Sequence, residues 1–149
     1  LVERAGDLEL ARTLHERGAA VDREDAGGRT PLSWAAAAGR LDLMRFLLAE
    51  GARPDAPDDR GRTPLFHAVL GDHRDAVEML MERGADVNVR DRFRDTPLML
   101  ACAKGHDAMA RLLLAHGADP DARDQEGRTA AERSAPGAPA CREARGGSV

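Results

Sequence analysis

The chain has 149 residues, enough for one compact domain or one short array of repeats. Charged residues make up 32% and the formal net charge is −4, so the chain lacks the global basic field that favours nucleic-acid binding. No apolar run approaches the roughly 20 residues of a membrane-spanning helix. Aromatic residues make up only 3%, and the many alanines favour closely packed helices over a β-sandwich.

One period organises the chain. Thr-Pro-Leu begins at Thr30, Thr63 and Thr96, 33 residues apart each time, and Thr129 continues the series in front of two alanines. Gly-Ala pairs and single aspartates keep the same spacing, at Gly18, Gly51, Gly84 and Gly117 and at Asp25, Asp58, Asp91 and Asp124. Several classes of position that share one period indicate an array of structural repeats.

Each unit predicts two helices in chain order. Threonine before proline is the N-cap of a short helix, such as residues 31–38, and Gly39 ends that helix. A second helix follows with apolar residues at helical spacing, as at Leu41 and Met44, and ends at Gly51. The polar stretch that follows is a loop with the turn chemistry of Asp and Gly. Because such a helix pair cannot bury its apolar face alone, the pairs must stack into a solenoid.

The pattern D-x-x-G-x-T-P-L-x-x-A-x-x-x-G, followed by L-L-x-x-G-A, resembles that of the ankyrin-repeat family over about residues 1–135. The resemblance implies an all-α solenoid of helix pairs joined by β-hairpin loops. The implied units are a partial repeat, three full repeats, a half-repeat that caps the array and a disordered tail, at residues 1–24, 25–57, 58–90, 91–123, 124–135 and 136–149. The tail is rich in Pro, Gly and small residues, as disordered segments are.

Two residues stand where this pattern has glycine. In DRFRDTPL, Arg94 takes the fourth place of the loop beside Phe93, at a cost of about 1 kcal/mol if the turn keeps a positive φ there. Drift explains this change, and so does a turn reshaped to present Phe93 and Arg92 to a partner. Asp72 takes the place that closes a first helix, where aspartate tolerates the left-handed conformation better than most residues.

Other departures concern the core and the N-terminal end. The family's histidine after Thr-Pro-Leu is replaced by Ser33, Phe66 and Met99, and we expect apolar packing to take over at the last two. Residues 1–5 supply only the end of a first helix, so we expect exposed apolar surface there and a chain that is a piece of a larger protein.

No arrangement of residues indicates catalysis. His73 and His106 recur 33 residues apart and are expected to be structural, and no His/Cys pair has the spacing of a zinc site on one helix. No serine lies in a nucleophile motif and no glycine run resembles a phosphate-binding loop. Cys102 and Cys141 are too few for a disulfide framework, and we expect Cys102 to be buried and inert. We therefore predict a protein that is not an enzyme and has neither cofactor nor metal.

The resemblance also implies one modification site and one binding surface. Asn88 matches the asparagine that oxygenases hydroxylate in some ankyrin proteins, and stabilisation of the loop is the alternative role. A partner is expected on the concave surface of loop tips and first helices. The candidate contact residues there are Arg29, Trp34, Arg60, Arg62, His67, Arg90, Arg92, Phe93, Asp95, Lys104 and Arg128.

Phe93 is the leading anchor, because aromatic residues and arginines are the commonest binding hot spots. Trp34 is the second candidate anchor, although its leucine-like place in the helix favours packing in the core. The arginines favour an acidic protein or peptide as partner, and solvated loop charges are the alternative explanation.

The leading hypothesis is a non-catalytic protein-interaction module. The alternatives are a regulatory or targeting segment of a larger multidomain enzyme, and nucleic-acid binding through the arginines, which the lack of aromatic stacking platforms disfavours. We expect a monomer in the cytoplasm or nucleus that binds no membrane.

Overall fold

The computed structural model describes residues 2–144, and within this range it contains helices and turns but no strand. Eight helices follow one another along the chain: α1 (Val2–Glu16), α2 (Pro31–Ala37), α3 (Leu41–Ala49), α4 (Pro64–Leu70), α5 (Arg74–Glu82), α6 (Pro97–Lys104), α7 (Asp107–Ala115) and α8 (Pro139–Glu143). The predicted all-α repeat array is confirmed, whereas the loops that were expected to be β-hairpins are turns.

The three helix pairs α2/α3, α4/α5 and α6/α7 begin at the predicted prolines. The Oγ1 atoms of Thr30 and Thr96 accept the backbone N–H groups of Ser33 and Met99, at 3.3 Å each, so both threonines are N-caps as expected. Asp72 adopts a φ of 56° where the first helix of its pair closes, so the prediction of a left-handed aspartate is also confirmed. The helix pairs lie inside the predicted units, whose boundaries remain predictions.

The core forms where successive first helices, α2, α4 and α6, pack side by side with the second helices behind them. Phe66 and Met99 are 0% and 1% exposed, so apolar packing replaces the family's histidine at both places, as predicted. Ser33 keeps a polar contact instead, with its Oγ 3.3 Å from the Oγ1 of Thr30. Thr63 precedes α4 in the same way but makes no cap bond, and its buried Oγ1 has no hydrogen-bond partner in the described part of the chain.

The N-terminal end differs from the sequence interpretation. Residues 2–16 form one unbroken helix, α1, rather than the end of a first helix followed by a second one. Leu10 and Leu14 are 58% and 49% exposed on it, so the predicted apolar surface at this end is present. Leu1 lies outside the described residues.

The C-terminal end contradicts the prediction of a disordered tail. Residues 130–133 form turns instead of a capping helix, and the chain then continues into α8, with Ala138, Ala140 and Cys141 buried. Cys141 is disulfide-bonded to Cys102, so the expectation that Cys102 is inert was wrong although its burial was correct. Small residues suggest disorder by composition, but here they permit close packing against α6 and α7. The rest of the predicted tail, residues 145–149, lies outside the described range.

Candidate functional site

Four five-residue loops precede the first helices and the turn at the C-terminal end. These finger loops, at residues 25–29, 58–62, 91–95 and 124–128, each close with a hydrogen bond from the first N–H to the fifth carbonyl, at 2.9–3.0 Å. Their fourth residues, Gly28, Gly61, Arg94 and Gly127, have φ values of 72°, 75°, 61° and 78°. The positive φ expected at Arg94 is therefore confirmed, and the turn has kept its type without glycine.

Neighbouring finger loops are joined through their backbones. Asp59 N–H donates to the Gly27 carbonyl at 3.0 Å, Arg92 N–H to the Arg60 carbonyl at 2.9 Å, and Gln125 N–H to the Phe93 carbonyl at 3.2 Å. The four loops therefore form one row, in which Arg92 lies directly beside Arg60.

The first residue of every finger loop is an aspartate that holds the loop in shape. Its Oδ1 accepts the N–H groups of the third and fifth residues, and for Asp91 these are Phe93 at 2.9 Å and Asp95 at 3.0 Å. Backbone N–H groups of Arg29 and Gly27 and the Trp34 indole N–H hold the pKa of Asp25 below its ordinary value. In the loop at residues 91–95, the Asp91 carboxylate thus fixes the backbone that carries the Phe93 side chain.

The second carboxylate oxygen of each aspartate also contacts a side chain. In three of the four finger loops that side chain comes from equivalent positions, residues 34, 67 and 133, which keep the 33-residue spacing. Trp34 Nε1 donates to Asp25 Oδ2 at 2.9 Å, and His67 Nε2 to Asp58 Oδ2 at 2.8 Å. Arg133 contacts Asp124 Oδ2 at 3.3 Å in the same way. For the loop at residues 91–95 the equivalent residue is Leu100, whose side chain has no polar group. Arg62 Nε of the preceding loop contacts Asp91 Oδ2 instead, at 3.1 Å.

Arg133 is a residue that sequence reasoning missed. Its guanidinium bridges Asp124 and Asp95 across the last two finger loops, and these contacts outweigh its burial and raise its pKa. The spacing of 33 residues from Trp34 and His67 was the signal that could have identified it. At Asp124, burial alone would raise the pKa, but the N–H groups of Arg128 and Glu126 and the Arg128 side chain lower it.

Five of the predicted contact residues serve the loops themselves. Arg29 lies 4.7 Å from the Trp34 ring centroid and 3.8 Å from Asp58, and Arg128 pairs with Asp124 at 3.1 Å. Arg62 and Asp95 are engaged with Asp91 and Arg133 as described above. His67 was predicted to contact a partner, but it is 2% exposed and lies beneath the surface.

Trp34 is exposed, as a contact residue must be, whereas the alternative that it packs in the core was wrong. The Trp34 side chain is 52% exposed, because its indole N–H donates to Asp25 in the first finger loop and keeps the ring at the surface of α2. The arginine stacked on its face, Arg29, covers one side of the ring.

The remaining predicted cations are exposed, and their side chains make no hydrogen bond or ion pair within residues 7–144: Arg60, Arg90, Arg92 and Lys104. Arg94, which was not among the predicted contact residues, belongs to the same group. Phe93 is 47% exposed between Arg92 and Arg94. We call Arg60, Arg92, Phe93 and Arg94 the basic patch. Asp59 is the exposed acid beside it, while Glu126 on the next loop pairs with Arg128 at 3.1 Å.

The buried His67–Asp58 pair joins the second finger loop, residues 58–62, to α4. Burial lowers the pKa of His67, helped by the nearby Arg29 and Arg62 and opposed by the bond to Asp58, so the imidazole is neutral at neutral pH. Burial would raise the pKa of Asp58, but the N–H groups of Arg62 and Arg60 and the His67 side chain hold it below its ordinary value.

Replacing His67 with glutamine is expected to flatten the pH dependence of stability between about pH 7 and about pH 5. A histidine whose pKa is lowered by folding takes up its proton mainly when unfolded. The wild-type free energy of unfolding therefore falls as pH drops below about 6.5, by up to about 1.4 kcal/mol per pH unit. Glutamine keeps an N–H donor for Asp58 but does not titrate. Denaturant unfolding along this pH series measures the effect, and identical slopes for both proteins would contradict it.

Asn88 links two neighbouring units. Its Nδ2 donates to the Gly117 carbonyl at 3.1 Å, and its Oδ1 accepts the Asp119 N–H at 2.8 Å. Asp55, 33 residues earlier, accepts the Asp86 N–H in the same manner at 3.1 Å. These bonds account for Asn88 as a structural residue, and its hydroxylation remains a prediction.

The structure assigns contacts between units to two more histidines. His73 Nε2 lies 3.1 Å from the Ala37 carbonyl, and His106 Nδ1 lies 3.1 Å from Asp72 Oδ2. Among residues 2–144, no three histidine, cysteine or acidic side chains are grouped so that they could hold a metal ion. None of the helices in this range is long and apolar enough to cross a membrane.

Two family models match the chain. One, described as ankyrin repeats (3 copies), matches residues 1–91, which is more than half of the chain, and the other, described as ankyrin repeats (many copies), matches residues 85–133. No protein with a curated description matches the sequence. Together with the stacked helix pairs and the row of finger loops, these matches show that the chain belongs to the ankyrin-repeat family.

Proposed function

We propose that this chain is an interaction module that holds a partner protein or peptide against the basic patch. Ankyrin repeats are generally protein–protein interaction modules and are typically non-catalytic. The observation that carries the proposal is the state of the patch. Its three arginines are exposed and make no ion pair with any described residue, while their loops are held by backbone bonds and by Asp58 and Asp91.

The chemistry of the patch favours an acidic segment that also carries an apolar side chain. Arginine binds carboxylates through two parallel N–H donors, and a guanidinium without an internal partner is free to do so. Phe93 offers about half of its surface for apolar contact between two of these arginines. Because the loops are already ordered, binding loses little conformational entropy in the backbone.

We expect the partner to extend along the row of finger loops. Arg90 directly precedes the third finger loop, Lys104 ends α6, and the exposed Trp34 ring lies on α2, which follows the first loop of the row. This row and the first helices behind it carry the residues at which the sequence predicts a partner to bind. Nucleic acid is a weaker candidate, since the patch offers one aromatic ring and three arginines, too few for a stacking channel. The cytoplasmic or nuclear location and the monomeric state remain predictions from the sequence.

Reversing two charges of the patch tests the proposal. We expect the variant R60E/R92E to recover at least tenfold less partner than the wild type in crosslinking capture from a lysate of the source organism. The matched control is R74E/R83E, because Arg74 and Arg83 are exposed arginines of α5 and its C-terminal cap that form no ion pair among the described residues. The control changes the net charge equally and should recover as much partner as the wild type. Equal recovery with both variants would contradict the proposed surface.

A further inference from the structure

One disulfide joins the C-terminal segment to the last helix pair. Cys102 lies in α6 and Cys141 in α8, 39 residues later, with their Cα atoms 5.9 Å apart. The two residues are 0% and 2% exposed, so the bond is covered on all sides. Neither cysteine belongs to the 33-residue pattern, because the equivalent places of the other units hold no cysteine.

Few other contacts hold this segment. The Ala135 N–H donates to the Cys102 carbonyl at 2.9 Å, and the Ala140 N–H donates to Asp107 Oδ1 at 2.7 Å, which is the main reason that the pKa of Asp107 lies below its ordinary value. Besides Cys141, the buried side chains of the segment are those of Ala138 and Ala140.

Apart from the disulfide, the segment is therefore held by two buried methyl groups, a few hydrogen bonds, the close approach of Gly137 to Gly105 and an exposed ion pair between Arg111 and Glu143 at 3.8 Å, which contributes little. The helix α8 has five residues, and a helix of this length does not form in water without tertiary support. By contrast, the helix pairs before it bury leucine, methionine, valine and phenylalanine side chains against each other. The covalent bond is the one strong constraint on the segment.

We propose that Cys102 and Cys141 form a thiol–disulfide exchange site, and that reduction by a low-molecular-weight thiol releases residues 135–144 from the last helix pair. The thiolate of the small thiol attacks one cysteine sulfur, the S–S bond breaks, and its electron pair leaves on the other cysteine, which takes up a proton. A second small thiol then attacks the resulting mixed disulfide. The products are two cysteine thiols and one small-molecule disulfide, so the protein is reduced and the small thiol is oxidised.

Burial of both sulfur atoms controls access to this site. A thiolate must approach along the S–S axis, and α8 has to lift from α7 before either sulfur can be reached. Exchange therefore follows the local opening of α8. In an oxidising compartment the bond stays formed, whereas in a thiol-rich compartment it is a switch, as disulfides there usually are.

The released segment begins close to the proposed partner surface. Arg133 stands two residues before Ala135 and bridges Asp95 and Asp124 of the last two finger loops. Release also uncovers Cys102 and the start of α7, where Asp107 loses its bond to Ala140. The thiol state thus alters the C-terminal end of the array without breaking the central helix pairs.

Hydrogen exchange of the full chain tests the proposal independently of any partner. In the oxidised protein the amides of Ala135, Ala140 and Cys141 should be protected. After treatment with dithiothreitol they should exchange at least tenfold faster, while amides of α4 keep their rates. The variant Cys141→Ala should exchange as fast as the reduced wild type, with or without dithiothreitol. A thiol count without and with dithiothreitol, on unfolded protein, should rise from zero to two.

Two results would overturn the inference. One is equal protection of residues 135–141 in the oxidised and reduced proteins, which would mean that packing alone holds the segment. The other is a pair of free thiols that persists after exposure to a small-molecule disulfide, which would mean that the bond does not form.

Discussion

Replacing Asp91 with alanine is expected to lower the free energy of unfolding by about 3 kcal/mol, because Arg62 and two backbone N–H groups lose their shared acceptor. The Asp91 side chain is 0% exposed, and it accepts Phe93 N–H, Asp95 N–H and Arg62 Nε at 2.9–3.1 Å. The Arg62 side chain is only 20% exposed, so water restores its lost contact poorly. Denaturant unfolding measures the loss.

Asp25 provides the matched control for this prediction. It makes the same two backbone bonds in the first finger loop, but that loop is exposed and water can replace the lost acceptor. Asp25→Ala should therefore be much less destabilising than Asp91→Ala. Similar losses in the two variants would show that burial between neighbouring loops does not set the strength of these bonds.

Replacing Phe93 with alanine is expected to weaken partner binding about 30-fold, which corresponds to about 2 kcal/mol for a hot-spot residue. The ring is 47% exposed and the loop is held by Asp91 rather than by the ring, so stability should change by no more than about 0.5 kcal/mol. Titration of the captured partner and denaturant unfolding of the same samples separate the two effects.

Leu14→Ala is the control for Phe93→Ala. Leu14 is 49% exposed on α1 and lies outside the basic patch, and its truncation removes a similar apolar surface. Its affinity for the partner should equal that of the wild type. A loss shared by both variants would mean that the partner reads exposed apolar surface in general and not the basic patch.

The 33-residue period was sufficient to predict the helix pairs, because the N-cap, the helix end and the apolar spacing repeat together in every unit. It also predicted the positive φ at Arg94 and Asp72, since the equivalent positions of the other units hold glycine. The period could not separate paired from free arginines. That distinction depends on contacts between loops, such as Arg62 with Asp91, and two arginines of similar sequence context, Arg60 and Arg62, end in opposite states.

The C-terminal end could not be predicted for a different reason. Pro, Gly and Ala are common in disordered segments, but the same small side chains allow a backbone to approach closely. A Cβ atom placed on Gly137 would lie 3.3 Å from the Gly105 carbonyl oxygen. The bond between Cys102 and Cys141 holds a segment that, by composition alone, is predicted to be a flexible tail. Neither cysteine recurs at the 33-residue spacing, so the repeat pattern gives no sign that the two are bonded.

The dissociation constant of the captured partner, measured for the wild type, R60E/R92E and R74E/R83E at low and high salt, tests the proposed binding surface most directly. We expect R60E/R92E to bind at least tenfold more weakly than the other two, and the wild-type affinity to fall as salt screens the patch. An unchanged dissociation constant for R60E/R92E at low salt would contradict the assignment of the basic patch as the partner site.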